Sequence, residues 1–229
     1  ATGALKGNTL VINGVGIDAA NANDDQASVD ESVVSSSSKS ASAIAIAAAI
    51  NKKTGMTGVT ATAEPNTVRG SGFTAGVVTE INLNGVAIAT SLNEDSKRDD
   101  VLNAINAYQG QTGVVASAWG EGITLTAADG RNISLNVTGV GGEDALGLKG
   151  VTVGDGTANE DVTYYSTVKL SSDKSFSVES GSEGDDNFAA LGFRRGSFGG
   201  SDNALKIADV DVTTQAGATE ALKAIDAAL

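Results

Sequence analysis

The residues most able to do chemistry in this chain are oxygen ligands. Asp155, Asn159, Glu160 and Asp161 crowd into "GDGTANED", where carboxylates and an amide suit a calcium loop. An EF-hand also needs a glycine at its sixth position and a distal bidentate Glu, and neither is in place, so the stretch reads as a solvated loop. Asp24, Asp25, Asp30 and Glu31 form a second acidic stretch, read the same way. With no His and no Cys, the chain lacks the usual general base near neutral pH, thiolate metal sites and disulfides. Among 28 Asp and Glu, no pair stands out for glycoside chemistry. "GVGGED" at 139–144 lacks the Lys-Ser/Thr ending of a phosphate loop and reads as turns. No residue is assigned a catalytic, cofactor-binding or metal-binding role, and the chain is read as a non-enzyme.

Four further features carry weaker signals. Asn132-Ile133-Ser134 and Asn136-Val137-Thr138 match the N-glycosylation sequon, but both fall on a strand whose polar residues should alternate outwards into solvent. "SVVSSSSKS" at 32–40 offers hydroxyls on a loop. Trp119, the single Trp, is expected to fill a hydrophobic gap, and Arg194 with Arg195 to form a solvated basic pair.

These residues must be held by small layered elements. The 229 residues are 41% hydrophobic, mostly Ala and Val, with 29 Gly and few aromatics, which predicts thin cores and frequent turns. A net charge of −13 repels phosphate backbones and anionic bilayers, so neither nucleic acid nor membrane is an expected partner. No run approaches the roughly 20 apolar residues of a membrane span. The chain opens on "ATGALKG", as an internal piece of a longer protein would.

The architecture is announced by a repeat. "AINKKTGMTGVTATA" at 49–63 and "AINAYQGQTGVVASA" at 104–118 agree at nine of fifteen positions, preceded by "INGVGI" at 12–17 and "LNGVAI" at 83–88. In each copy a short strand should end at an Asn-Gly turn, Asn13-Gly14 or Asn84-Gly85. A helix follows: "SASAIAIAAAINKK" with Ile46 and Ile50 inward, and "KRDDVLNAINAY" with Val101, Leu102, Ile105 and Tyr108 as its stripe and Ser96 with Asp99 as a capping box. Gly55 or Gly58, and Gly110 or Gly113, should end the helices before a further strand. Asn13 to Ile50 spans 37 positions and Asn84 to Ile105 spans 21, so the first copy carries sixteen more, in a Ser- and Asp-rich surface loop.

"ITLTAADGRNISLNV" after the second copy predicts a hairpin about Asp129-Gly130. The first copy's counterpart comes late: "VKLSSDKSFSV" at 168–178 alternates alike, and "FAALGFRRG" at 188–196 echoes "DALGLKG" at 144–150. The expected fold is therefore α+β and β-rich, with two small units of antiparallel strands and one packed helix each, one nested in the other. The inner unit comprises 1–66 plus 159–200 and the inserted distal unit 67–158. A return segment at 201–229 should hold a helix capped by Thr213 or Thr214 and carrying Leu222, Ile225 and Leu229.

The repeated phrases resemble those in the variable central regions of bacterial flagellins and some other flagellar axial proteins. "ALKIADVDVTTQAGATEALKAIDAAL" at 204–229 resembles the junction where a flagellin returns to its C-terminal core helix. The resemblance implies an exported, extracellular structural subunit of the flagellar filament, the outer part alone, whose partners are further flagellin subunits and an export chaperone. It also implies O-linked sugars on outer Ser or Thr, with 32–40 as the candidate. The fragment, lacking the core helices, is expected to be monomeric. A hook-associated or filament-cap protein would share the repeats, and a surface adhesin or glycan-binding module is the alternative of another class.

Overall fold

The computed structural model describes residues 3–156, 160–182 and 185–199. Among them are thirteen strands and six α-helices, and the strands form four antiparallel sheets, an α+β, strand-rich fold as the pattern predicts. The helix expected around Leu222, Ile225 and Leu229 lies outside the described residues.

In the first copy β1 (Leu10–Ile12) and β2 (Val15–Gly16) meet at Asn13 and Gly14, with φ of 51° and 76°. Both residue types tolerate the left-handed region that this turn needs. After an irregular stretch, α1 (Ala43–Asn51) starts where Ser42 Oγ accepts the Ala45 amide at 3.1 Å. It buries Ile46 and Ile50. A short α2 (Thr54–Thr57) closes at Gly58, φ 69°, and leads into β3 (Thr60–Ala63).

The second copy repeats this. β4 (Asn66–Arg69) precedes β5 (Val77–Leu83) and β6 (Val86–Leu92), which turn at Asn84 and Gly85, φ 53° and 77°. Next come α3 (Arg98–Asn106), α4 (Gln109–Thr112), closed by Gly113 at φ 71°, and β7 (Val115–Trp119). α3 starts one residue later than the capping box predicts. Ser96 Oγ accepts the Asn93 amide and closes the preceding turn, leaving Lys97 as the N-cap, its amide donating to Asp100 Oδ2 at 2.7 Å.

The remainder comprises β8 (Gly122–Ala127), β9 (Ile133–Val140), α5 (Gly142–Ala145), β10 (Val162–Tyr164), β11 (Val168–Ser171), β12 (Phe176–Ser180), α6 (Asp185–Ala190) and β13 (Gly196–Phe198). β8 and β9 turn at Gly130 but do not pair as a hairpin. β8 lies between β4 and β7, and β9 between β10 and β5, so both edges of each strand are taken by other partners. Alternation and a turn dipeptide fix strands and a reversal, whereas pairing depends on which edges remain open.

The sheet order β13-β12-β1-β2 mirrors β10-β9-β5-β6. Ile12 faces Val178 as Leu83 faces Leu135. Likewise β3 pairs β11 with Ala61 opposite Leu170, and β7 pairs β8 with Ala116 opposite Leu125. Buried apolar residues fall into two clusters. One draws on positions 5–61 and 176–191, the other on 68–148, and they share no residue. The chain crosses from one to the other through two adjoining strand ends. Asn66 Nδ2 donates to Tyr164 O at 2.7 Å, Glu64 N donates to Thr167 O at 2.9 Å, and the Ser166 hydroxyl donates to Glu64 O.

Candidate functional site

The repeated asparagines make matching pairs of side-chain hydrogen bonds in the two copies. Asn51 and Asn106, one in each copy's "AIN", sit at the ends of α1 and α3 and clamp the following strand. Asn51 Nδ2 donates to Ala61 O and its Oδ1 accepts the Ala61 amide, at 2.8 and 2.7 Å, and Asn106 does the same with Ala116, both at 2.8 Å. The turn asparagines add a second joint. Asn13 Nδ2 donates to Thr57 O while Oδ1 accepts the Ser177 amide. Asn84 Nδ2 donates to Thr112 O while Oδ1 accepts the Ser134 amide. Each of these four amide side chains thus joins a backbone donor and a backbone acceptor of neighbouring segments.

A second polar cluster joins the two apolar clusters. The Asn132 amide donates to Ser28 Oγ at 2.9 Å, and Asn132 Nδ2 donates to Ser37 Oγ and Ser38 O, both at 3.2 Å. Tyr165 donates its hydroxyl proton to Ser36 O at 2.9 Å and accepts the Ser38 amide at 3.0 Å. Burial pushes the Tyr165 phenol above its usual range, with the negative charge of Glu31 adding to the effect. The Thr163 hydroxyl lies 2.7 Å from that of Ser36 and 2.6 Å from that of Ser134. The sixteen extra residues are therefore a strap laid across β9 and β10, with Ser28, Val34 and Ser37 buried, and not simply a solvated surface loop. Their extra length is the one sequence signal of this contact; Ser28, Ser36, Ser37, Thr163 and Tyr165 carry no motif.

The strap overturns the outward-facing reading of β9. Asn132 and Ser134 are fully buried and Asn136 is 8% exposed, because the strap covers one end while Gly154 and Gly156 cover the other. The Gly156 amide donates to Asn136 Oδ1, and the Val137 amide to Gly154 O. A buried Asn132 is inaccessible to a glycosyl transferase. Within 32–40 only Ser32 and Ser35 among the hydroxyl residues are exposed.

The acidic stretches do not converge. Asp24 pairs with Lys52 at 2.6 Å, and Asp30 Oδ1 accepts the Ser32 amide, a bond that holds its carboxyl below the usual range. Asp25 departs from the solvated reading: it is fully buried, its Oδ1 accepting the Ala27 and Ser28 amides and closing the turn that presents Ser28 to Asn132. Asp155 and Glu160 are exposed, Asn159 lies outside the described residues, and burial raises the Asp161 carboxyl. Burial also works upward on Asp129, but side-chain and backbone bonds from Arg131 outweigh it and lower its carboxyl. Among the described residues no three such side chains come together as a metal site would require, and no helix is long and apolar enough to cross a membrane.

Two aromatic readings change. Trp119 fills no gap: it is 51% exposed at the end of edge strand β7, with the Arg69 guanidinium 4.6 Å from its ring centroid. Arg195 is not merely solvated, its guanidinium lying 5.5 Å from the Phe188 ring, while Arg194 lines an apolar groove beside β11.

No family model matches the chain. Over 118 residues it is 36% identical to flagellin A of Helicobacter felis, a match that covers 49% of this chain and 23% of that protein. The chain thus spans about a quarter of the length of the curated relative it matches.

Proposed function

We propose that this chain is the surface-exposed outer part of a flagellin, a structural subunit of the extracellular bacterial filament that shapes the filament surface and its antigenicity. The observation that carries the reading is the likeness to flagellin A, which joins a sequence whose polar residues are spent on holding strands together. Residues 1–66 with 159–200 form the inner unit, 67–158 the distal unit inserted into it, and 201–229 leads back toward a core helix. Polymerisation then belongs to parts of the subunit outside this chain, through contacts with further copies, and export to the family's chaperone. A chain without histidine or cysteine, and with no convergent carboxylates among the described residues, suits a role as spacer and surface.

Immunogold electron microscopy with antibodies raised against this chain tests the proposal. Labelling along whole flagellar filaments of the producing cell, lost when the parent gene is deleted, is the expected result. Labelling confined to the hook junction or the filament tip would assign the chain to a hook-associated or cap protein. Labelling of the cell body with bare filaments would assign it to an adhesin.

A further inference from the structure

The sequence holds two Asn-Gly dipeptides, Asn13-Gly14 and Asn84-Gly85, and the fold treats them differently. Asparagine followed by glycine is open to an intramolecular reaction, because no side chain on the next residue hinders its backbone nitrogen. That nitrogen attacks Asn Cγ, the side-chain nitrogen leaves as ammonia with the displaced proton, and a five-membered succinimide forms. Water then opens the ring at either carbonyl, to aspartate or to isoaspartate. Ring closure consumes the planar amide, so it must break the two side-chain bonds each asparagine makes, to Thr57 O and the Ser177 amide for Asn13, and to Thr112 O and the Ser134 amide for Asn84. The flanking residues are nearly alike too, Ile12 and Val15 in one copy, Leu83 and Val86 in the other. The rates are then decided by how readily each turn opens. Asn13 and Gly14 are exposed, and β2 behind them has two residues. Asn84 and Gly85 are half-buried between two seven-residue strands, β5 and β6. The strap closes over this second turn: a Cβ at Gly85 would lie 2.7, 3.3 and 3.6 Å from side-chain carbons of Val33, Val29 and Val34.

We propose that Asn13 is a site of spontaneous deamidation in the folded chain, and that the strap shields its twin, Asn84. The product is not neutral for the structure. Aspartate at position 13 keeps an acceptor for the Ser177 amide but has no proton to give Thr57 O, so two oxygens face each other at the joint between the first turn and α2. Isoaspartate adds a methylene to the main chain inside the turn that sets Ile12 against Val15. Either product adds one negative charge to a chain already at −13. Modification therefore loosens the apolar cluster that contains Ile12, and the other cluster, which shares no residue with it, keeps its packing. The inference stands on the two turns alone and holds whether or not the parent is a flagellin.

Peptide mapping by mass spectrometry, after incubation of the full chain in mildly alkaline buffer, tests it. In the native chain conversion at Asn13 should outrun that at Asn84 by roughly tenfold or more, and in urea the two should react at similar rates. Equal native rates, or faster conversion at Asn84, overturn the proposal, as does an Asn13 that reacts in urea and stays intact in the folded chain. Val29→Ser with Val33→Ser gives a second readout. Conversion at Asn84 should rise several-fold while Asn13 keeps its rate, and an unchanged rate at Asn84 would overturn the shielding by the strap.

Discussion

At the residue scale the asparagines decide more than any charged group. Asn106→Ala removes a donor and an acceptor from the Ala116 backbone together and leaves a half-buried edge without partners, which should cost about 2 kcal/mol in urea unfolding. Asn51→Ala should cost a similar amount, since it makes the same two bonds to Ala61. Asp161 behaves in the opposite sense. Burial raises its carboxyl in the folded state, so the protonated form is the one the fold prefers. Below the unfolded value that preference costs nothing, and stability is lost as pH rises through the folded value. Asp161→Asn should therefore raise the thermal midpoint at pH 7, with the gain disappearing near pH 3, as calorimetry at the two pH values would show. Asn51 and Asn106 both lie inside the shared fifteen residues, so their repetition was legible, but their clamping role was not, because it depends on a strand ten positions away. Asn132 was misread because a polar residue alternating on a strand looks solvated until the covering segment, over ninety positions away in sequence, is known.

At the element scale, turns and helices were the most legible parts, since their signals are local. Asn-Gly dipeptides, alanine-rich helix stretches and left-handed glycines at the helix ends act within a few residues of themselves. Partner choice was not local, and the expected β8–β9 hairpin failed for that reason. The strap was visible only as surplus length. A pair of glycines measures what it contributes. Gly14 and Gly85 share the same left-handed turn, but a Cβ at Gly14 meets nothing within 4 Å, while one at Gly85 would lie 2.7 Å from Val33 Cγ1 and 3.3 Å from Val29 Cγ2. Gly14→Ala should cost about 1 kcal/mol from backbone strain alone. Gly85→Ala should cost about 1 kcal/mol more, because stiff valines of the strap must move, and limited proteolysis should then cut sooner within 29–37.

For the whole molecule, the strand-rich α+β class followed from the repeat, but composition misled about the cores: Ala and Val dominate the hydrophobic residues of the chain, whereas Leu and Ile supply more than half of the larger buried cluster. The two apolar clusters share no residue, so they should respond separately to damage. Leu125→Ala, at a fully buried position of the larger cluster, should cost about 3 kcal/mol. Exchange protection should fall across β5, β8 and β9 while α1 and β1 keep theirs. Loss of protection in both groups together would show that the strap couples them into one cooperative block.

The paired crossing at Glu64–Asn66 and Tyr164–Thr167 has a consequence for how such chains diversify. Because the outgoing and returning strands leave side by side, the segment between them could be exchanged as a cassette, provided its replacement also covers the strap residues Ser28, Val34 and Ser37. Joining Glu64 to Thr167 through a short glycine-serine linker should leave a shortened protein with α1, β1 and β12 intact, detectable by the protection of their amides. Recombination at two neighbouring points would then lengthen, shorten or swap everything between them in one step, while the sequence of the cluster outside them stays constant.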